Sequence, residues 1–309
     1  MARETVRDLA RRARLGVVFT RGEALAAGLT PAHMRGPGVT PVFRGVFTVD
    51  GDATDIGVRA RAAVTLAGSA ALVCETTALA LLGVELPDAD MARTVHIWVP
   101  RGVMGPRMAG IRVHRDSLAY PPKKIATGLT AVNPVECWLQ AAHTLSVRDL
   151  VVLADGLTRR RDPLVFVDDV REVLAQAGGR RGVDRARTAL DLAREGTDSP
   201  METLLRLVLV EAGLPCPVVN HPLKLPSGTV PYYLDMAYPD AQVAVEYDGA
   251  IHVADAAHMR RDQARRRWIE DHGWRLITAT APDLADPSGL VGSVRRALQE
   301  RLAFVPSRL

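Results

Sequence analysis

The sequence has almost no lysine. Of its 39 Lys and Arg residues only Lys123, Lys124 and Lys224 are lysine, which leaves 36 arginines. Guanidinium forks match phosphate geometry better than ammonium groups do, so the bias suits a phosphate-binding surface. A GC-rich genome that prefers Arg codons also produces it, with no function attached. Cysteine is scarce: Cys74, Cys137 and Cys216 are isolated, odd in number and without C-x-x-C spacing. That suggests neither a zinc site nor a disulfide framework and points to a reducing compartment. Uncharged apolar runs of the roughly 18 residues that span a bilayer are missing. The segment MARETVRDLARRARLGVVF has no apolar signal core, and its Glu4 and Asp8 argue against a transit peptide. A cytoplasmic protein with no membrane association is expected.

What is present is an ordinary globular composition, 48% hydrophobic and 24% charged, far from that of a disordered chain. A length of 309 residues leaves room for two or three domains. The net charge of +4 and pI near 9.2 are mildly basic.

In the first fifty residues, a helix, a second helix capped by Thr20 and stopped at Gly28, and a short third helix opened by Thr30-Pro31 precede VFRGVFTV. There Val42, Arg44, Val46 and Thr48 alternate with Phe43, Gly45, Phe47 and Val49, the pattern of paired strands or a wing. Residues 1–49 carry eight arginines against Glu4, Asp8 and Glu23, a surplus that suits DNA contact. His33 and Arg35 on the third helix, with Arg44 on the wing, are the candidate DNA-binding residues. A helical interaction domain that never touches DNA fits the same elements.

Residues 55–197 read as a helical α/β middle region. It has two strands, VHIWVP and IRVHRD, and then helices capped by Asn133 and Ser146. His96, His114 and His143 lie in different segments with no ligand spacing and read as satisfied core or surface histidines. Arg159 to Arg161 read as a solvated loop.

Residues 198–309 carry the chemistry. Ser199-Pro200 opens the helix METLLRLVLVEAGL, with Leu204, Leu205, Val208 and Leu209 as its apolar stripe and Gly213 as its stop. Glu202 stands in the first turn, where the helix dipole favours a carboxylate anyway. Three extended segments follow, near residues 218–225, 230–238 and 243–249. If Pro239 to Gln242 form a hairpin loop, Tyr238 faces Val243 and Asp235 stands opposite Glu246, with Cβ atoms about 4.5–5.5 Å apart. Opposed carboxylates repel unless a proton or cation intervenes. Alternation puts Asp248 on the face of Glu246, and hard oxygen ligands of this kind suit Mg²⁺ or Mn²⁺. An exposed hairpin face that merely tolerates acids remains the simpler alternative. After His252, Asp255 caps a helix through HMRRDQARRR to Gly273, and WRLITAT forms a strand. The arginines of that helix read either as charge supplied to the site by Arg261 and Arg265 or as a solvated face pairing Asp262 with Arg266.

The order helix, three strands, helix, strand resembles the αβββαβ core of the PD-(D/E)XK nuclease superfamily. It resembles in particular the very-short-patch-repair endonuclease-like domains fused behind AbiEi-type antitoxin domains. The carriers are Ser199-Pro200-Met201-Glu202, Leu234-Asp235-Met236-Ala237, Val245-Glu246-Tyr247-Asp248-Gly249 with His252, and Asp262 through Arg265 to Gly273-Trp274. At the N-terminus, Arg44-Gly45-Val46-Phe47 resembles the R-G-V-[FY] strand of the antitoxin winged helix-turn-helix. The resemblance implies a winged helix-turn-helix over residues 1–54 and metal-assisted hydrolysis of DNA by the C-terminal domain. In that reading Asp235 and Glu246 hold Mg²⁺ (or Mn²⁺), Glu202 orients a metal-bound water or a second ion, and His252 acts as general acid or base. The superfamily's lysine two positions after the second acid is Asp248 here. A non-catalytic, antitoxin-like repressor with a cognate toxin or other partner protein is the alternative, and a protein-interaction module a third.

Overall fold

The computed structural model describes residues 16–49, 51–249 and 256–303. Within them the protein is a mixed α/β molecule with three sheets and eleven α-helices. None of these helices is long and apolar enough to cross a membrane. The chain divides into two compact units, one from Met1–Leu153 and Asp168–Arg187, the other from Ala154–Val167 and Thr188–Leu309.

In the first unit, β1 (Val18–Thr20) leads into α1 (Arg21–Ala26). A reciprocal cap starts that helix: Thr20 Oγ1 accepts the Glu23 N–H at 3.1 Å, and the Glu23 carboxylate accepts the Thr20 N–H at 2.6 Å. Strands β2 (Val39–Phe43) and β3 (Val46–Val49) form the expected hairpin, in a sheet of order β1-β3-β2. Phe19, Ala24, Leu29, Met34 and Val39 make its core. The third helix expected after Thr30-Pro31 is a single 3-10 turn, His33–Arg35, because Gly36, Pro37 and Gly38 follow at once and cannot continue it. The first expected helix lies outside the described residues.

The same unit continues with α2 (Ile56–Ala67), β4 (Leu72–Val73), α3 (Glu75–Leu81), β5 (Val95–Trp98), β6 (Ile111–His114), β7 (Lys123–Lys124) and β8 (Thr130–Ala131). These strands form a second sheet of order β6-β5-β4-β8-β7. The two expected strands are β5 and β6. Three more, each two residues long, are too short to show a period. Helices α4 (Pro134–Ala141), α5 (Val147–Leu157), α6 (Val167–Gln176) and α7 (Val183–Leu192) follow, with residues 154–157 of α5 and 188–192 of α7 belonging to the second unit. Asn133 caps α4 by accepting the Val135 N–H at 2.9 Å, and Ser146 accepts the Asp149 N–H at the start of α5 at 3.1 Å.

The second unit is built from α8 (Pro200–Glu211), β9 (Val218–Leu223), β10 (Tyr232–Tyr238), β11 (Val243–Tyr247), α9 (Ala256–Asp271), β12 (Arg275–Ala279), α10 (Ala281–Ala285) and α11 (Ser288–Ala303). Its sheet has order β12-β11-β10-β9, with β9, β10 and β11 antiparallel and β12 parallel to β11. A 3-10 turn at Pro239–Ala241 and a left-handed Gln242 (φ +49°) close the β10–β11 hairpin. Tyr238 therefore pairs with Val243 and Met236 with Val245, the register that the loop residues predict.

One face of this sheet packs Met236, Val243 and Val245 against Leu205 and Leu209 of α8 and Val294 and Leu298 of α11. The other packs Leu234 and Ala244 against Ile269 and Trp274. Covered on both faces, β11 reads as an unbroken apolar run, Val243-Ala244-Val245, up to the half-buried Glu246. Each large apolar side chain so buried contributes about 1.5–3 kcal/mol.

Helix α8 is enclosed more completely than its apolar stripe implies. Leu207, Thr203 and Arg206 are buried as well, while Leu204 is only half-buried. Arg206 (1% exposed) donates to Asp155 Oδ2 and to the Leu192 carbonyl, each at 2.7 Å. Thr203 Oγ1 donates to the same Asp155 oxygen at 2.8 Å. This buried ionic anchor fixes the helix whose first turn carries Glu202.

Candidate functional site

Ser199 starts α8 by accepting the Glu202 N–H at 3.2 Å. The Glu202 side chain turns back over the helix start. Its Oε1 accepts from Ser199 Oγ at 3.1 Å, and its Oε2 accepts from the Asp198 N–H at 3.0 Å and the Asn220 amide at 3.2 Å. Burial raises its pKa above the ordinary carboxylate range, although the Asp198 N–H and Ser199 hydroxyl pull the other way. Glu202 is thus a 7% exposed, fully engaged carboxylate rather than a solvated first-turn acid.

Asn220 is a residue that the sequence reading missed. It sits inside β9 with φ +44°, and its Nδ2 donates to the Gly196 carbonyl at 2.7 Å as well as to Glu202. Asn tolerates the left-handed region better than other side chains do. In VVNHPL that tolerance was the only available signal.

Asp235 lies one step beyond the Met236–Val245 pair, and its Oδ2 accepts the Tyr247 N–H at 3.1 Å. Burial, then the charges of Glu202 and Glu246, push its pKa up to about 7; the Tyr247 N–H and Arg265 counter them only in part. Glu202 and Glu246 thus both act on Asp235.

Glu246 is paired. Arg265, on α9, reaches both its oxygens: Nη1 donates to Oε2 at 2.7 Å and Nη2 to Oε1, a bidentate fork. Nη2 also donates to the Tyr233 carbonyl at 3.0 Å, and the guanidinium stands 5.7 Å from the centre of the Tyr232 ring. The hydrogen bond to Glu246 raises the Arg265 pKa, holding the charge in place. Next on the helix, Arg266 donates to Thr278 Oγ1 at 2.6 Å. The structure thus places Arg265 on Glu246 and Arg266 on Thr278.

Arg160 also differs from its expected place in a solvated loop. Its Nε donates to Asp198 Oδ2 at 3.0 Å, and its guanidinium stacks 4.4 Å from the centre of the Tyr233 ring. Asp248 is exposed, one residue past β11, with its N–H on the Ala279 carbonyl at 2.8 Å. Arg261 is exposed, and His252 lies outside the described residues. In the first unit, Arg35 and Arg44 are exposed, whereas His33 is half-buried and its Nδ1 accepts the Thr30 N–H at 3.2 Å.

The comparisons bear on kinship rather than chemistry. This chain has distant homologues in Mycobacterium tuberculosis. The uncharacterized protein Rv2248 of strain H37Rv and the uncharacterized protein MT2308 of strain CDC 1551 are each 28% identical to it over 268 residues, 86% of this chain and 94% of theirs. No protein-family model matches. The crystal structure of the RV2827C protein of M. tuberculosis aligns over 69% of this chain and 82% of its own, at 18% identity and a TM-score of 0.41.

The donor chemistry at the acidic site, carboxylate oxygens only, is of the kind a hard divalent cation takes. Among the described residues, the one group of three candidate ligands whose donor atoms all lie within 4.8 Å of each other is elsewhere, at Glu75, His96 and His114. Glu202, Asp235 and Glu246 do not form such a group: the Glu246 oxygens are held by Arg265, and those of Glu202 by Ser199, Asp198 and Asn220. Mg²⁺ commonly binds to proteins through one or two carboxylates.

Proposed function

We propose that the chain is a Mg²⁺- or Mn²⁺-dependent DNA endonuclease acting in defence, repair or mobile-element control. In this reading the C-terminal unit carries a PD-(D/E)XK-type αβββαβ core, and the N-terminal strands and helices form a winged helix-turn-helix that holds DNA. The observation that carries the proposal is Asp235, half-buried and within electrostatic reach of Glu202 and Glu246, with its pKa pushed up to about 7. Such a carboxyl is poised to exchange its proton for a metal ion. The order α8, β9, β10, β11, α9, β12 supports the same reading.

Asp235 and Glu246 would hold the ion, which when bound supplies Lewis acidity toward a phosphodiester and acidifies a bound water. Glu202, whose oxygens are held by Ser199, Asp198 and Asn220, would act on Asp235 electrostatically rather than take the ion itself. Arg265 provides the cationic group that Asp248 does not, and its fork suits a phosphate as well as a carboxylate. Arg35 and Arg44 lie exposed for DNA phosphates.

The bidentate grip of Arg265 on Glu246 favours a second reading, a DNA-binding regulator of the antitoxin kind whose nuclease site has been closed by an internal ion pair. Cleavage of plasmid and oligonucleotide DNA in Mg²⁺ and Mn²⁺ separates the two. Asp235→Ala and Glu246→Ala should each abolish cutting. Activity that survives both changes overturns the endonuclease, and metal-independent promoter binding without cutting by the wild type supports the regulator.

A further inference from the structure

The first unit holds a cluster unrelated to the acidic site. Strands β5 and β6 run parallel, with His96 paired to Arg112 and Trp98 to His114. That register puts both histidines on one face of the sheet, two residues apart along it. Their rings stack with centroids 5.2 Å apart. Glu75, the first residue of α3, completes the group. Its Oε2 contacts His96 Nδ1, and His96 Nδ1 lies 3.0 Å from His114 Nε2. Glu75 and His96 are 3% and 7% exposed, and His114 is half-buried.

Hydrogen bonding alone serves this geometry poorly. An imidazole nitrogen carries one hydrogen or one lone pair, yet His96 Nδ1 faces a carboxylate oxygen and a second ring nitrogen together. A cation between the three satisfies all of them at once. The donor set, two imidazole nitrogens and one carboxylate oxygen, occurs in zinc sites with three protein ligands and an open fourth position.

The surroundings supply that open side. Glu75 and His114 line a cavity of about 660 Å³. Gln140 lines it too; it is 6% exposed, and its Oε1 is buried with no hydrogen-bond partner. The cavity wall also carries Arg112, Arg180 and His143. An orphaned acceptor on the wall that Glu75 and His114 also line adds a polar group without a partner to the same cavity.

We infer that Glu75, His96 and His114 form a binding site for a zinc-class divalent cation, with one coordination position open to the cavity. The site is independent of the endonuclease reading and shares no residue with it.

The test uses the full-length, tag-free chain titrated with Co²⁺ and then Zn²⁺, read by the visible ligand-field bands of cobalt. One Co²⁺ per chain should give intense low-coordination bands that Zn²⁺ removes. X-ray absorption of the zinc-loaded protein should show two imidazole ligands. His114→Ala and Glu75→Gln, with circular dichroism unchanged, should weaken binding about 100-fold or more, since loss of outer-shell partners alone costs metal sites about 10–100-fold. His143→Ala, at the cavity wall but outside the cluster, should bind as the wild type does. Cobalt bands that never depart from those of the hydrated ion, binding lost in Asp235→Asn but kept in His114→Ala, or an all-oxygen or sulfur ligand shell would each overturn the assignment.

Discussion

Replacing Asp235 with Asn should stabilise the second unit, and more so as the pH rises. The Asp235 pKa stands at about 7 against an ordinary 3.8. A carboxyl whose pKa is raised by folding prefers its neutral form in the native state, so the stability present below pH 3.8 is lost as the pH rises to about 7. About three pKa units correspond to an upper bound of about 4 kcal/mol above pH 7, and to about 1.5 kcal/mol at pH 5. The amide of the variant keeps the shape without the charge. Hydrogen exchange of the β10 and β11 amides, compared between wild type and Asp235→Asn at each pH, measures local opening in these two strands. The variant's advantage in protection should be larger at pH 8 than at pH 5 by a margin of about 2–3 kcal/mol. A gain independent of pH, or a less stable variant at pH 8, would refute the electrostatic account.

Asp155→Ala strands the guanidinium of Arg206, 1% exposed, without its partner and should cost about 3–5 kcal/mol in urea unfolding. The double change Asp155→Leu with Arg206→Met should cost less than either single removal of a charge; an additive loss would show that packing, not ionic pairing, anchors α8. Gly182→Ala should lower the Tm, because the added Cβ would collide with the Ala142 carbonyl at a residue with φ +86°. The left-handed backbone alone accounts for about 1–2 kcal/mol, and an unchanged Tm would contradict the close approach of Gly182 to Ala142.

The parts of the fold that were legible in advance are those with strong local chemistry. Ser199, Asn133 and Thr20 carry capping side chains, so three helix starts could be placed from the chain alone. Pro239 to Gln242 form a tight turn, and with the turn placed the pairing of Tyr238 with Val243 follows. The hidden parts depend on contacts distant in sequence. His96 and His114 are 18 residues apart, and only the parallel pairing of β5 with β6 reveals that they share a face. Asn220 gave no sign of its left-handed backbone, and Arg160 in a triple-arginine run gave none of its stacking on Tyr233. The short 3-10 turn at His33–Arg35 was readable as a helix only until Gly36-Pro37-Gly38 was given its due weight.

If a metal binds at the acidic site as proposed, the Arg265–Glu246 pair would set an order of events. A planar guanidinium can lie flat against one acidic group at a time, and here that group is Glu246. Any cation arriving first must evict the arginine and leave its charge to solvent. A phosphate arriving first offers the arginine a new anion, and Glu246 is released without a net loss of pairing. A DNA strand would thus lower the barrier to metal entry, and metal would hold the strand more tightly in return. Coupled this way, the resting chain would carry little metal at the acidic site until nucleic acid is already in place.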